Sequence, residues 1–204
     1  MARVLTLLLG AALAGPVFSQ PPPPKAWEFS VAALTYIVPD EPNYVSPTFR
    51  ADRGWLHLET RYNYEDQRTG SAWIGYNFKA GTNLVFELTP MVGAVFGRTK
   101  GIAPGALMSL TYKKFDISSE NEFVVTTQDR IANYFYTWSE VGYSLLDWLR
   151  AGVVVQRTRA YQTPLDVQRG FFMGVSHKNL DFTTYVFNLG WTDPTVVLAM
   201  TFSF

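Results

Sequence analysis

Thr195-Val-Val-Leu-Ala-Met-Thr-Phe-Ser-Phe204 is the stretch on which the reading of the chain turns. Successive side chains of an extended backbone point to opposite sides, so Val196, Leu198, Met200, Phe202 and Phe204 share one face. Val197, Ala199, Thr201 and Ser203 share the other. One face is bulky and apolar, and the face behind it is small or polar. Such a strand belongs to a sheet with an apolar medium on one side only. That medium is either a protein core or lipid, and alternation alone does not separate the two.

The same alternation recurs along the chain. Trp55 to Tyr64 is the clearest internal case: Leu56, Leu58, Thr60, Tyr62 and Tyr64 lie on one side, and His57, Glu59, Arg61 and Asn63 on the other. Further strands are expected over 27–33, 71–79, 84–96, 106–113, 115–125, 133–143, 151–157, 171–176 and 180–189. In the 115–125 segment Ser119 and Asn121 interrupt the apolar face. Tyr44 to Ala51 is weaker, because Pro47 removes a ladder donor. With it the count is twelve, without it eleven, and ten if two hairpins are misread. Short turns are expected at 52–54, 80–81, 113–114, 144–148 and 178–179, and mostly longer loops at 38–43, 65–70, 97–104, 126–132, 160–167 and 190–194. No stretch carries a helical period.

Residues 1–19 read as a secretory signal peptide: Arg3, an apolar run from Val4 to Ala14, and Val17 and Ser19 placed for cleavage after Ser19. Residues 20–26 form a proline-rich lead-in, and 27–204 the folded domain. The chain has no cysteine, so it carries neither a disulfide framework nor a cysteine-linked lipid. Its 17 basic and 17 acidic residues balance, which argues against nucleic acid as a partner. No apolar run after residue 19 is long enough for a membrane helix, so a membrane role requires a closed sheet. Aromatic residues make up 16% of the chain and fall at strand ends, where interfacial girdles sit.

The leader, the alternating strands and the terminal Phe202-x-Phe204 together resemble the small outer-membrane β-barrel proteins of Gram-negative bacteria. The resemblance implies an all-β fold, a closed antiparallel up-and-down transmembrane barrel of about twelve strands, an even number. It implies a place in the cell outer membrane among its lipids and lipopolysaccharide. It also implies recognition of Phe202 and Phe204 by the outer-membrane assembly machinery, with both chain ends on the periplasmic side. Length and strand number are similar to the twelve-stranded monomeric porins that pass acidic oligosaccharides through arginine-lined channels. Here the inward arginines Arg50, Arg61 and Arg150 stand isolated among more numerous acids, which argues against anionic sugars. A secreted β-sandwich or a lipocalin-like binder shares the alternation but not the leader and terminal aromatic.

In a barrel the charged faces point inward. Glu59, Arg61, Glu87, Glu120, Glu122 and Glu140 are therefore the expected lumen lining. They suit a narrow porin-like channel for small polar solutes; paired across the lumen, they suit a closed structural or adhesion barrel instead. His57 and His177 are the only histidines; His57 points into the lumen beside Glu59, and neither has a Ser or Asp neighbour placed at the outer leaflet, so no catalytic set is expected. Without cysteine or paired histidine, no metal site or cofactor is expected.

Overall fold

The computed structural model describes residues 26–39, 42–127, 133–160, 166–190 and 194–204; the leader and most of the proline-rich segment lie outside the described residues. The strands are β1 (Glu28–Ile37), β2 (Tyr44–Arg53), β3 (Leu56–Tyr62), β4 (Thr69–Tyr76), β5 (Phe78–Ala80), β6 (Leu84–Gly97) and β7 (Gly101–Tyr112). There follow β8 (Phe115–Thr126), β9 (Tyr134–Leu146), β10 (Leu149–Ala160), β11 (Asp166–His177), β12 (Leu180–Phe187) and β13 (Thr195–Ser203). All pairings are antiparallel between chain neighbours, except that β4 pairs with β6 past β5 and that β13 returns to β1 and closes the sheet. At that seam Phe29 and Phe204 exchange two 2.9 Å backbone hydrogen bonds.

β4 and β5 both pair with β6 in one unbroken register, so they are two pieces of a single stave and the barrel has twelve. The break has a chemical cause. Tyr76 and Asn77 stand opposite Pro90 and Thr89, and Pro90 has no N–H to give to the ladder. Side chains span the gap instead, with Thr89 Oγ1 donating to Asn77 Oδ1 at 2.7 Å.

Proline 47 is tolerated for a related reason. β2 pairs with β1 along its length, while its ladder with β3 ends at Thr48 and Arg61, one step before Pro47. The Tyr62 carbonyl opposite accepts from Ser46 Oγ at 3.1 Å, so the weak sequence segment is a full strand. The 97–104 stretch, read from sequence as a loop, is mostly strand: only residues 98–100 connect β6 to β7. Pro104 pairs with Val92 on the β6 side, and its missing donor falls on the β8 side, where the ladder skips Ala103 and Pro104. Likewise β9 runs to Leu146, leaving Asp147 and Trp148 as the connection in place of 144–148.

Outward positions are large and apolar: Leu58, Ile74, Phe86, Ile117, Val153 and Met173 are all exposed. This is the surface a lipid bilayer requires of a barrel. Aromatics ring the end where β1 begins, with Trp55 on Tyr76 at 5.3 Å and Phe115 on Tyr143 at 4.7 Å between centroids. The interruption read from sequence at Ser119 and Asn121 is an outward polar ladder. Ser119 lies across from Ser139 at 2.9 Å between hydroxyls, and Asn121 Nδ2 donates to Ser119 Oγ at 3.0 Å.

Candidate functional site

Because β3 alternates in phase, His57, Glu59 and Arg61 all point into the lumen, and β2 and β8 bring Arg50, Glu120 and Glu122 to the same level. Glu59, Arg61 and Glu122 are 1%, 3% and 2% exposed, so the centre of the belt is buried, while Arg50 and Glu120 are more open. Arg50 Nε meets Glu59 Oε2 at 2.9 Å, and Arg61 Nε donates to Glu59 Oε1. Arg61 Nη1 lies 2.7 Å from Glu120 Oε1 and donates to Glu122 Oε2 at 3.0 Å. β3 and β8 are not neighbours: the β4–β5 stave, β6 and β7 stand between them. The ion pairs therefore bridge the lumen, as does the 3.7 Å contact of Arg50 with Glu120.

The guanidinium of Arg61 also lies over two rings, 4.4 Å from the centroid of Tyr64 and 4.7 Å from that of Trp73. His57 is held between carboxylates, Nδ1 to Asp52 at 2.8 Å and Nε2 to Glu59 at 3.1 Å. Carboxylate oxygens only accept, so an imidazole satisfying both carries two N–H groups and a positive charge. Above the belt, in the connection from β3 to β4, Glu65 is buried. Its Oε1 accepts from Ser71 Oγ at 2.5 Å and Trp73 Nε1 at 3.3 Å, while Oε2 has no hydrogen-bond partner among the described residues. Burial pushes the Glu65 carboxyl upward, against the opposing pull of the Arg61 charge.

A second bridge is built on Arg150, which reaches Asp116 on β8 and Glu140 on β9, the latter at 2.9 Å, under the ring of Phe172 at 4.4 Å. Towards the loop end the lumen is filled by apolar side chains. One cluster comprises Tyr36, Val154, Phe172, Tyr185, Phe187 and Val197; another comprises Trp73, Met91, Val95, Ala103 and Val124. Small facing residues make room for them: a Cβ on Gly93 would meet the Trp73 ring at 2.4 Å, and one on Gly152 the Phe172 ring at 2.7 Å. At the other end, where β1 begins, the lumen opens into a vestibule of about 1200 Å³ whose walls carry Glu28, Asp52, Lys79 and Glu87.

The barrel is similar in fold to the KdgM porin. That structure superposes with a TM-score of 0.61 at 11% identity, covering 86% of this chain and 99% of its own. A structure of the KdgM porin in complex with disordered oligogalacturonate gives 0.61 at 10% identity over the same shares. The outer membrane protein Omp33 of Acinetobacter baumannii gives 0.48 at 10% identity, covering 87% of this chain and 98% of that one. At such identities the likeness is one of fold. No family model and no curated protein matches the chain.

Of the sequence-expected lining residues, Glu59, Arg61, Glu120 and Glu122 meet in the belt, and Glu140 joins the Arg150 bridge. Glu87 stands apart in the vestibule, 2.6 Å from Lys79. Phe202 and Phe204 lie outward at the seam, with Phe204 stacked on Phe29 at 5.6 Å. The sequence reading missed the aromatic half of the site, Tyr64 and Trp73. Trp73 shares its face with Ser71, Gly75 and Asn77, and that phase was the available signal. Among the described residues no three His, Asp or Glu side chains converge as a metal site would require.

Proposed function

We propose that the protein is an outer-membrane barrel, exported by its leader, that passes small polar solutes along a narrow lumen. The observation that carries this reading is a wide charged vestibule leading to a charged constriction, at which Arg61 spans the lumen to Glu120 and Glu122. Glu59, Arg61, Glu120 and Glu122 line that constriction, with Glu140 and Glu87 on the path to it. A ring of facing charges fixes which ions enter and how fast, as in other selectivity filters. The apolar exterior and aromatic rim suit a bilayer, and outward Arg157 suits lipopolysaccharide phosphates at the outer rim. Phe202 and Phe204 serve the assembly machinery, and the vestibule faces the periplasm.

A closed structural or adhesion barrel is the second reading, favoured by the burial of Glu59, Arg61 and Glu122 and by the apolar filling of the loop end. Planar-bilayer recording separates the two. The channel reading expects discrete steps from wild-type barrel, and larger steps once Arg61→Met removes the bridge. A barrel that stays silent in both forms is closed.

A further inference from the structure

Resting on the channel reading, we infer that the solutes this lumen selects are small organic cations bearing a guanidinium group, for which Arg61 and Arg150 are built-in stand-ins. Each of these side chains sits in a complete guanidinium receptor made by other residues. Arg61 has the faces of Tyr64 and Trp73 and the carboxylates of Glu59, Glu120 and Glu122. Arg150 has the face of Phe172 and the carboxylates of Asp116 and Glu140. An aromatic face and a fork-matching carboxylate are the two groups that distinguish guanidinium from a plain point charge.

The Arg61 receptor is not saturated by its own arginine. In the belt three cationic side chains, Arg50, His57 and Arg61, face four carboxyl groups, those of Asp52, Glu59, Glu120 and Glu122. Glu65, 7% exposed, adds a carboxyl whose Oε2 has no hydrogen-bond partner among the described residues. Arg61 Nη2 is likewise buried without a hydrogen bond to the described residues, so among them the resident guanidinium uses only part of its donor set. Glu120 is the most open carboxylate of the Arg61 set, with a side chain 17% exposed against 0% and 1% for Glu59 and Glu122. An incoming guanidinium competes with Arg61 for Glu120, displaces it, and is handed inward along the same carboxylates. Sharing one carboxylate set between resident and visitor keeps binding weak enough for release.

L-arginine and L-citrulline test this, since they differ only in guanidinium against neutral urea. Two measurements are made on the wild-type barrel: reversal potentials in bilayers, and calorimetric titration of the detergent-solubilised protein. The expected results are cation preference over chloride on the order of tenfold, block of the potassium current by arginine but not citrulline, and arginine binding weakened about tenfold by Glu120→Gln. Anion preference, or equal block by the two compounds, overturns the inference while leaving a channel. Silence in the bilayer with arginine binding intact sinks the channel reading and leaves the guanidinium site. Absence of arginine binding overturns the inference whatever the conductance. Because the wild-type comparison needs no variant, poor folding of Glu120→Gln does not spoil the test.

Discussion

Single residues in the lumen are held by contacts tight enough to give measurable consequences. A methyl group at Gly93 meets the Trp73 ring at 2.4 Å, so Gly93→Ala forces the indole off Ser71 and Glu65. The expected cost is about 1–3 kcal/mol, as for other overpacked interiors, read by urea unfolding in detergent or lipid. Glu65 gives a pH-dependent case. Its folded-state affinity for the proton is raised, so its stabilising contribution is complete below the unfolded carboxyl range and is lost as pH rises through the folded value. Glu65→Gln keeps an acceptor for Ser71 and Trp73 and removes the charge. The variant should match wild type in acid, exceed it in alkali, and lose that part of the pH slope; an unchanged slope assigns the titration elsewhere.

At the scale of the element, β3 shows how far sequence reading reaches. Alternation in Leu56 to Tyr62 was enough to assign both faces, because a period of two needs no knowledge of the partner strands. It was not enough to say what Glu59 does there. Sequence alone makes Leu58→Arg harmful and Glu59→Gln mild. With Arg50, His57 and Arg61 all gathered on Glu59, the second change strands buried cations. Leu58→Arg is expected to cost about 2–4 kcal/mol if it sits at the bilayer midplane. Glu59→Gln is expected to cost about 3–5 kcal/mol as a broken buried pair. Unfolding both variants under one condition checks the ranking, which a solvated Glu59 would reverse. Prolines explain the misjudged boundaries. Pro47 and Pro104 each lack a donor, but a stave has two neighbours, and in each case the donor is missing on one side only. A sequence does not say which side that is. The meeting of β3 with β8 across the lumen was equally illegible, since it depends on closure and not on local pattern.

For the whole molecule, the proposed orientation puts the turns at Lys113 and Lys178 in the periplasm and the connection at residues 98–100 outside. Cysteine at Lys100 in intact cells should react with an impermeant reagent and cysteine at Lys178 should not; the reverse pattern inverts the orientation. Deleting Phe204 should lower the yield of heat-modifiable barrel far more than Ser203→Ala, because it removes both backbone bonds to Phe29 and the ring stack at the seam.

The seam joins β1 to β13, the first and last strands of the sheet, and this sets the order of events in assembly. Until both are present every intermediate is an open ribbon with two unsatisfied edges, a state that hydrocarbon does not tolerate. The longest-range pairing in the sheet must therefore form in the same event as insertion, once β13 has been made, and loop-closure entropy makes that step slow. A chain halted one strand short has no smaller barrel to fall back on. Its exposed edges await another sheet, and the competing product is aggregation, with the rate of closure deciding between the two fates.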